Sequence, residues 1–284
     1  MSAGAPRTRS LWPREHGAYV QLLVPLATAL LATTPTLAGA AIALGAGLAF
    51  LASEPLRVVL GDRGPRRREL ARARARSRLA QLAAGALIAG GAGLALAPTA
   101  ALAFAGVLAL PIGLVVVLSR RGAVHTVVGE SVAAIGLAGA SAPVAIAGGM
   151  SPADALVIWC AWSAGYATSV IAVHQVLARH RRAASRADVP PAIALGALCA
   201  VIAALGIHDP AAWLAIPLAA LAALVVLRPP RATRLRAVGV GFLLSSVVAA
   251  ACAVTTVRLT DPGAARSAVP GKSSVAPAPA RVAR

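Results

Sequence analysis

Charge is scarce in this 284-residue sequence, where charged side chains make up 13% against roughly a quarter in a soluble domain. Aromatic side chains are scarcer still, at 3%. Nucleic-acid binding therefore fits poorly, although a net charge of +18 is one of its usual cues: there is little to stack on bases, and the basic clusters are spread along the chain rather than gathered on one domain. The three cysteines, Cys160, Cys199 and Cys252, lie inside apolar runs. They form no CxxC pair and have no histidine at ligand spacing, which argues against a disulfide framework and against zinc. A cleavable signal peptide is not expected either, because the first apolar run is longer than an ordinary signal core.

What the sequence does have is apolar length, with 58% hydrophobic residues and a mean hydropathy of +0.78. Pro, Gly and charge punctuation divides it into nine expected helices at about 17–34, 36–56, 79–97, 99–118, 126–148, 153–177, 190–207, 211–227 and 237–257. Each is long enough, or nearly so, to cross a hydrocarbon core of about 30 Å. Two start signals are explicit, Ser151 before Pro152 and Asp209 before Pro210. The expected fold is an all-α polytopic transmembrane bundle.

Arginine sets its orientation. Of the 27 Lys and Arg, the last five lie from Arg258 onward, and the other 22 fall at the start of the chain or in alternate gaps between spans. Basic loops are retained on the cytoplasmic side, where the leaflet is anionic. The N-terminus is thus expected inside, the C-terminus outside, and the protein in the cell inner membrane. Residues 1–16 read as a cytoplasmic lead-in, 17–257 as the nine-helix domain, and 258–284 as a disordered Pro/Ala/Ser-rich tail. The expected partners are the bilayer and anionic head groups at the arginine-rich inner loops; no nucleic acid and no cofactor are expected.

Ionisable groups at span depth are costly and tend to face a cavity or a partner. Here they gather toward one face: Glu15 and His16 opening the first helix, Tyr19 and Gln21 just inside it, Glu54 near the end of the second with Arg57 after it, His125 and Glu130 opening the fifth, and Tyr166, His174 and Gln175 in the second half of the sixth. Glu15, His125 and Gln175 are near enough to helix ends to be interfacial. The candidate ligand-binding set is His16, Tyr19, Glu54, Arg57, Glu130, Tyr166 and His174; no residue is assigned to catalysis or to a metal. Packing or ion pairing accounts for each member equally well. Together they would make an acidic, imidazole-bearing pocket ringed by arginine.

The run Arg14-Glu15-His16-Gly17-Ala18-Tyr19 leading to Pro25 resembles the opening of the YwiC-like family of bacterial integral membrane proteins, with Tyr19 where that family usually has Trp. The resemblance implies a membrane setting and brings no chemistry. A looser likeness, of layout only, is to UbiA-type prenyltransferases, which are nine-helix bundles with catalytic 2–3 and 6–7 loops. Those enzymes hold Mg²⁺ with two aspartate-rich motifs. Here Glu54, Asp62 and Glu69 are too widely spaced for one, and Asp188 stands alone after the sixth helix. Fold likeness does not carry the activity without the site. Three readings stay open: an accessory bundle binding a lipidic, quinone-like or isoprenoid-like ligand in a cytoplasm-facing cavity, a small-solute transporter, and an atypical metal-independent membrane enzyme. The first is favoured, because no inverted repeat is evident and the polar residues sit at one face, not at the midplane.

Overall fold

The structure, a computed structural model, describes residues 11–13, 16–61, 65–180 and 210–260, with scattered positions between 194 and 206. Among the described residues every regular element is helical. They are α1 (His16–Ala32), α2 (Leu37–Leu60), α3 (Pro65–Leu96), α4 (Thr99–Arg120), α5 (Val127–Gly139), α6 (Ser141–Ala147), α7 (Pro152–His180), α8 (Ile216–Leu227) and α9 (Leu235–Thr260). A 3₁₀ turn, Pro210–Ala215, leads into α8. Scattered helical positions between 194 and 206 fall in the seventh expected span; the Asp209 start signal and the tail lie outside the described residues.

Among the described residues six helical segments are long and apolar enough to cross a membrane, within α2, α3, α4, α5 with α6, α7 and α9. Their burial shows how they are layered. The α7 segment is 72% buried and the α5–α6 segment 56%, whereas α4 is 11% buried and α3 only 6%. Helix α7 is accordingly the axis of the bundle, packed by α5, α6, α8 and the 3₁₀ turn, while α1 lies against α9, α6 and α5. Leu87, Ile88 and Leu110 on α3 and α4 are each more than 70% exposed. Leaving such side chains in water would cost about 1.5–3 kcal/mol apiece; in lipid the cost vanishes.

Helix α3 is held chiefly by α2, at a contact that excludes side chains. A Cβ on Gly45 would meet the Gly90 backbone at 2.6 Å, and one on Gly93 would meet the Ile42 nitrogen at 2.7 Å. Gly61 ends α2 in the left-handed region (φ 95°), its N–H returning to the carbonyls of Arg57 and Val58.

Two features differ from the sequence reading. The arginine-rich segment expected as a loop is helical from Pro65, so the 32-residue α3 is about 48 Å long, roughly 18 Å more than a hydrocarbon core of about 30 Å requires, and carries the basic residues on its first turns. The fifth span is two helices, α5 and α6, broken at Ala140. Pro143 lacks the N–H that the Gly139 carbonyl would take in a continuous helix.

The ends of the bundle can be matched. At one end the Thr34 N–H donates to the Gly148 carbonyl, and the Thr36 hydroxyl donates to the Ala147 carbonyl at 3.1 Å. Arg258, near the end of α9, donates through Nε to the Leu31 carbonyl in the last turn of α1. Helix α9 therefore finishes where α1 finishes, at the end opposite His16.

Candidate functional site

The first turn of α5 is fixed by Thr126, whose hydroxyl accepts from the Gly129 N–H at 3.1 Å and donates to the Ala123 carbonyl. That cap sets Glu130 in the first turn, where the positive end of the helix favours a carboxylate. Across from it, two turns before the end of α7, stands His174. Its Nε2 lies 3.0 Å from Glu130 Oε2, a hydrogen bond in which the imidazole donates when Nε2 carries the proton. His125 Nδ1 is 3.8 Å from the other carboxylate oxygen. The His174 and Glu130 side chains are 22% and 40% exposed, so this cluster is open at the surface.

A second group surrounds the start of α1. The Tyr19 hydroxyl donates to the Pro13 carbonyl at 3.2 Å, and its ring meets Phe50 of α2 edge-on, with centroids 4.9 Å apart. Glu54, one turn after Phe50, is 1% exposed. Arg57 is half-buried on the next turn, and His16 is exposed at the mouth of α1.

Tyr166 joins α7 to α1 between these groups. It is 2% exposed, stacks on Trp162 at 5.4 Å and donates to the Val20 carbonyl. Its hydroxyl also meets the Ser246 side chain of α9.

Of the seven residues singled out in the sequence, Glu130 and His174 meet directly, Tyr166 bonds to Val20 of α1 while Tyr19 of α1 bonds to Pro13, Glu54 and Arg57 share the end of α2, and His16 stands exposed at the start of α1. His125, read from sequence as interfacial, belongs with Glu130. The lead-in residues Leu11, Trp12 and Pro13 were not singled out. An apolar triplet inside an otherwise basic and polar segment was the signal that they dock.

Other buried hydroxyls turn back on their own helices: Thr28 to Val24, Ser141 to Ala138, Thr168 to Gly165 and Ser246 to Phe242. The first three are satisfied without reaching a neighbour, whereas Ser246 of α9 also meets the Tyr166 hydroxyl of α7; the His174–Glu130 contact is likewise a side-chain bond between helices. Among the described residues, no three His, Cys, Asp or Glu are placed to hold a metal ion. A cavity between α1, α6, α7 and α9 is lined by Thr28, Ser141, Ala145 and Met150 and has room for about one water. It lies toward the end of the bundle away from Glu130.

Comparison with known families bears on the first half of this arrangement. Residues 12–146 match the family model for YwiC-like protein. This stretch is YwiC-like, as the Arg14-to-Pro25 run suggested. Taken with the six apolar helices, it makes the chain a multi-pass membrane protein. The YwiC-like stretch spans α1 to α6 and so contains His16, Tyr19, Glu54, Arg57 and Glu130; Tyr166 and His174 on α7 fall beyond it. Three hydrogen bonds that tie the stretch to α7, Tyr166 to Val20, His174 to Glu130 and Trp159 to Ile135, thus cross its boundary. No curated protein and no solved structure matches the chain.

Proposed function

We propose that this is an accessory, non-catalytic membrane bundle that binds a lipidic ligand of quinone or isoprenoid type at its arginine-rich end, with the polar head at Glu130 and His174. The observation that carries this reading is the 3.0 Å contact between those two side chains, made at a helix threshold and left part-exposed. A carboxylate paired with an imidazole offers both an acceptor and a donor, the complement of a quinone carbonyl or a prenol hydroxyl. Val127 and Val128 beside it are exposed and continue into the apolar outer faces of α4 and α3, a surface on which an isoprenoid tail can lie. The head site is then a surface cleft, reached from the lipid, and needs no deep chamber.

The test is the lipid that travels with the protein. The full chain is purified in mild detergent, extracted and read by mass spectrometry for quinones and isoprenoids. Glu130→Gln and His174→Ala should each lose the co-purifying species, while a variant at the far end, Ser151→Ala, keeps it. Equal recovery in all three, or no such lipid in the unaltered protein, refutes the reading.

A further inference from the structure

Glu54 is among the most deeply buried side chains of the protein, and the Glu130–His174 site does not use it. What buries it is instructive. Phe50, Glu54 and Val58 are spaced four apart, so they form one row along α2. The residues on either side of Glu54 in that row are covered from outside the helix. Phe50 takes the edge of the Tyr19 ring. Val58 is fully buried in a small cluster with Leu11 and Ala75, with Val59 and Ala71 packed on it. The cover over Val58 includes Leu11 of the lead-in. Leu11 is 4% exposed, the next residue, Trp12, holds the Arg78 guanidinium over its ring at 4.6 Å, and the Pro13 carbonyl accepts from the Tyr19 hydroxyl. Three consecutive residues are thus pinned at three points, on α2, α3 and α1, across the end of the bundle where Glu54 lies.

We infer that Leu11–Pro13 form a lid over the Glu54 carboxyl, latched by Tyr19, and that this lid controls access to Glu54 from the arginine-rich end. A carboxyl buried by a few pinned residues is exposed by releasing them, whereas one buried by the bundle is exposed only by unfolding. The Tyr19 latch reaches the lid through a single hydrogen bond, at the Pro13 carbonyl, which is weak enough to open. The inference is independent of the Glu130–His174 reading.

It is tested by carboxyl modification of the full chain in detergent, with a water-soluble carbodiimide and an amine, read at each acid by peptide mass spectrometry. Glu69 and Asp154, both exposed, serve as references at the two ends. In the unaltered protein Glu54 should stay unmodified under conditions that modify Glu69. Leu11→Ala and Tyr19→Phe should each raise Glu54 modification about tenfold relative to Asp154, as expected when a closed state loses one anchoring contact, and Leu11→Met should keep the protection. Glu54 reacting as fast as Glu69 in the unaltered protein, or unchanged in both variants, overturns the lid. A rise at Glu54 matched by a rise at Asp154 also overturns it, because protection would then belong to the whole fold.

Discussion

The hydroxyl of Tyr166 donates to the backbone carbonyl of Val20 at 3.2 Å, across 146 residues of sequence. That carbonyl belongs to the interior of α1, where it also serves the helix, so the phenol adds to an acceptor that is already in use. Interhelical bonds of this kind in membranes are worth about 0.6 kcal/mol on average. The larger energy sits one turn away, in the fully buried ring of Trp162 stacked on Tyr166.

Tyr166→Phe should therefore cost little, about 0.6 kcal/mol, since the ring stays and no carbonyl is orphaned. Trp162→Ala should cost about 3–5 kcal/mol, because it opens a cavity at the axis of the bundle. Denaturant unfolding in mixed micelles would show the ordering; equal losses would mean that the hydroxyl, not the packing, holds α7 to α1.

The contact between α2 and α3 gives a matched pair of glycine substitutions. Gly93→Ala places a Cβ 2.7 Å from the Ile42 nitrogen and 2.8 Å from the Ala38 carbonyl oxygen, so the helices must part, at a cost of about 1–3 kcal/mol. Gly91→Ala meets nothing within 4 Å, and by removing a flexible residue from a helix interior it should gain about 0.5–1 kcal/mol. Thermal unfolding of the two variants should move in opposite directions.

Much of this architecture is legible in the sequence, and the parts that are not have physical reasons. Spans such as Thr99–Arg120 announce themselves by hydropathy and by Pro98 before them. The capping of α7 was equally visible: Ser151 accepts from the Asp154 N–H at 3.1 Å and donates to its carboxylate. The segment from Pro65 to Arg78 reads as a loop because its arginines defeat a hydropathy reading, yet Ala, Arg, Leu and Glu are all strong helix formers. The sequence places the polar residues toward helix ends. Which of them meet was not legible: Glu130 and His174 are 44 residues apart, and pairing across helices is decided by rotation and tilt that no single segment records. Nor was it legible that Tyr19 spends its hydroxyl on Pro13, since the lead-in looked like mere topogenic charge.

Because the Glu130–His174 pair is part-exposed, it contributes little to holding the helices together, about 0.2–1 kcal/mol for such pairs. Glu130→Gln and His174→Ala should leave unfolding of the bundle nearly unchanged, and the double variant should differ from their sum by less than about 1 kcal/mol. A loss of several kcal/mol from either single change would show that the pair is a structural brace, and the ligand reading would lose its support.

The remaining prediction concerns sidedness. Arg258 meeting Leu31 puts the finish of α9 at the end away from His16, so the chain crosses the bundle an odd number of times. The basic turns of α3 must then lie on one side of the membrane and the Gly148–Ser151 turn on the other. With Cys160, Cys199 and Cys252 replaced by alanine, Ser77→Cys and Ser151→Cys each offer a single exposed site. The retention of arginine on the cytoplasmic side predicts that an impermeant maleimide labels the Ser151→Cys variant in intact cells and the Ser77→Cys variant only after the membrane is opened. The reverse pattern would invert the orientation while keeping the fold. Labelling of both variants in intact cells would contradict the placement of the Gly148–Ser151 turn at the finish of α1, which the Thr34–Gly148 contact gives.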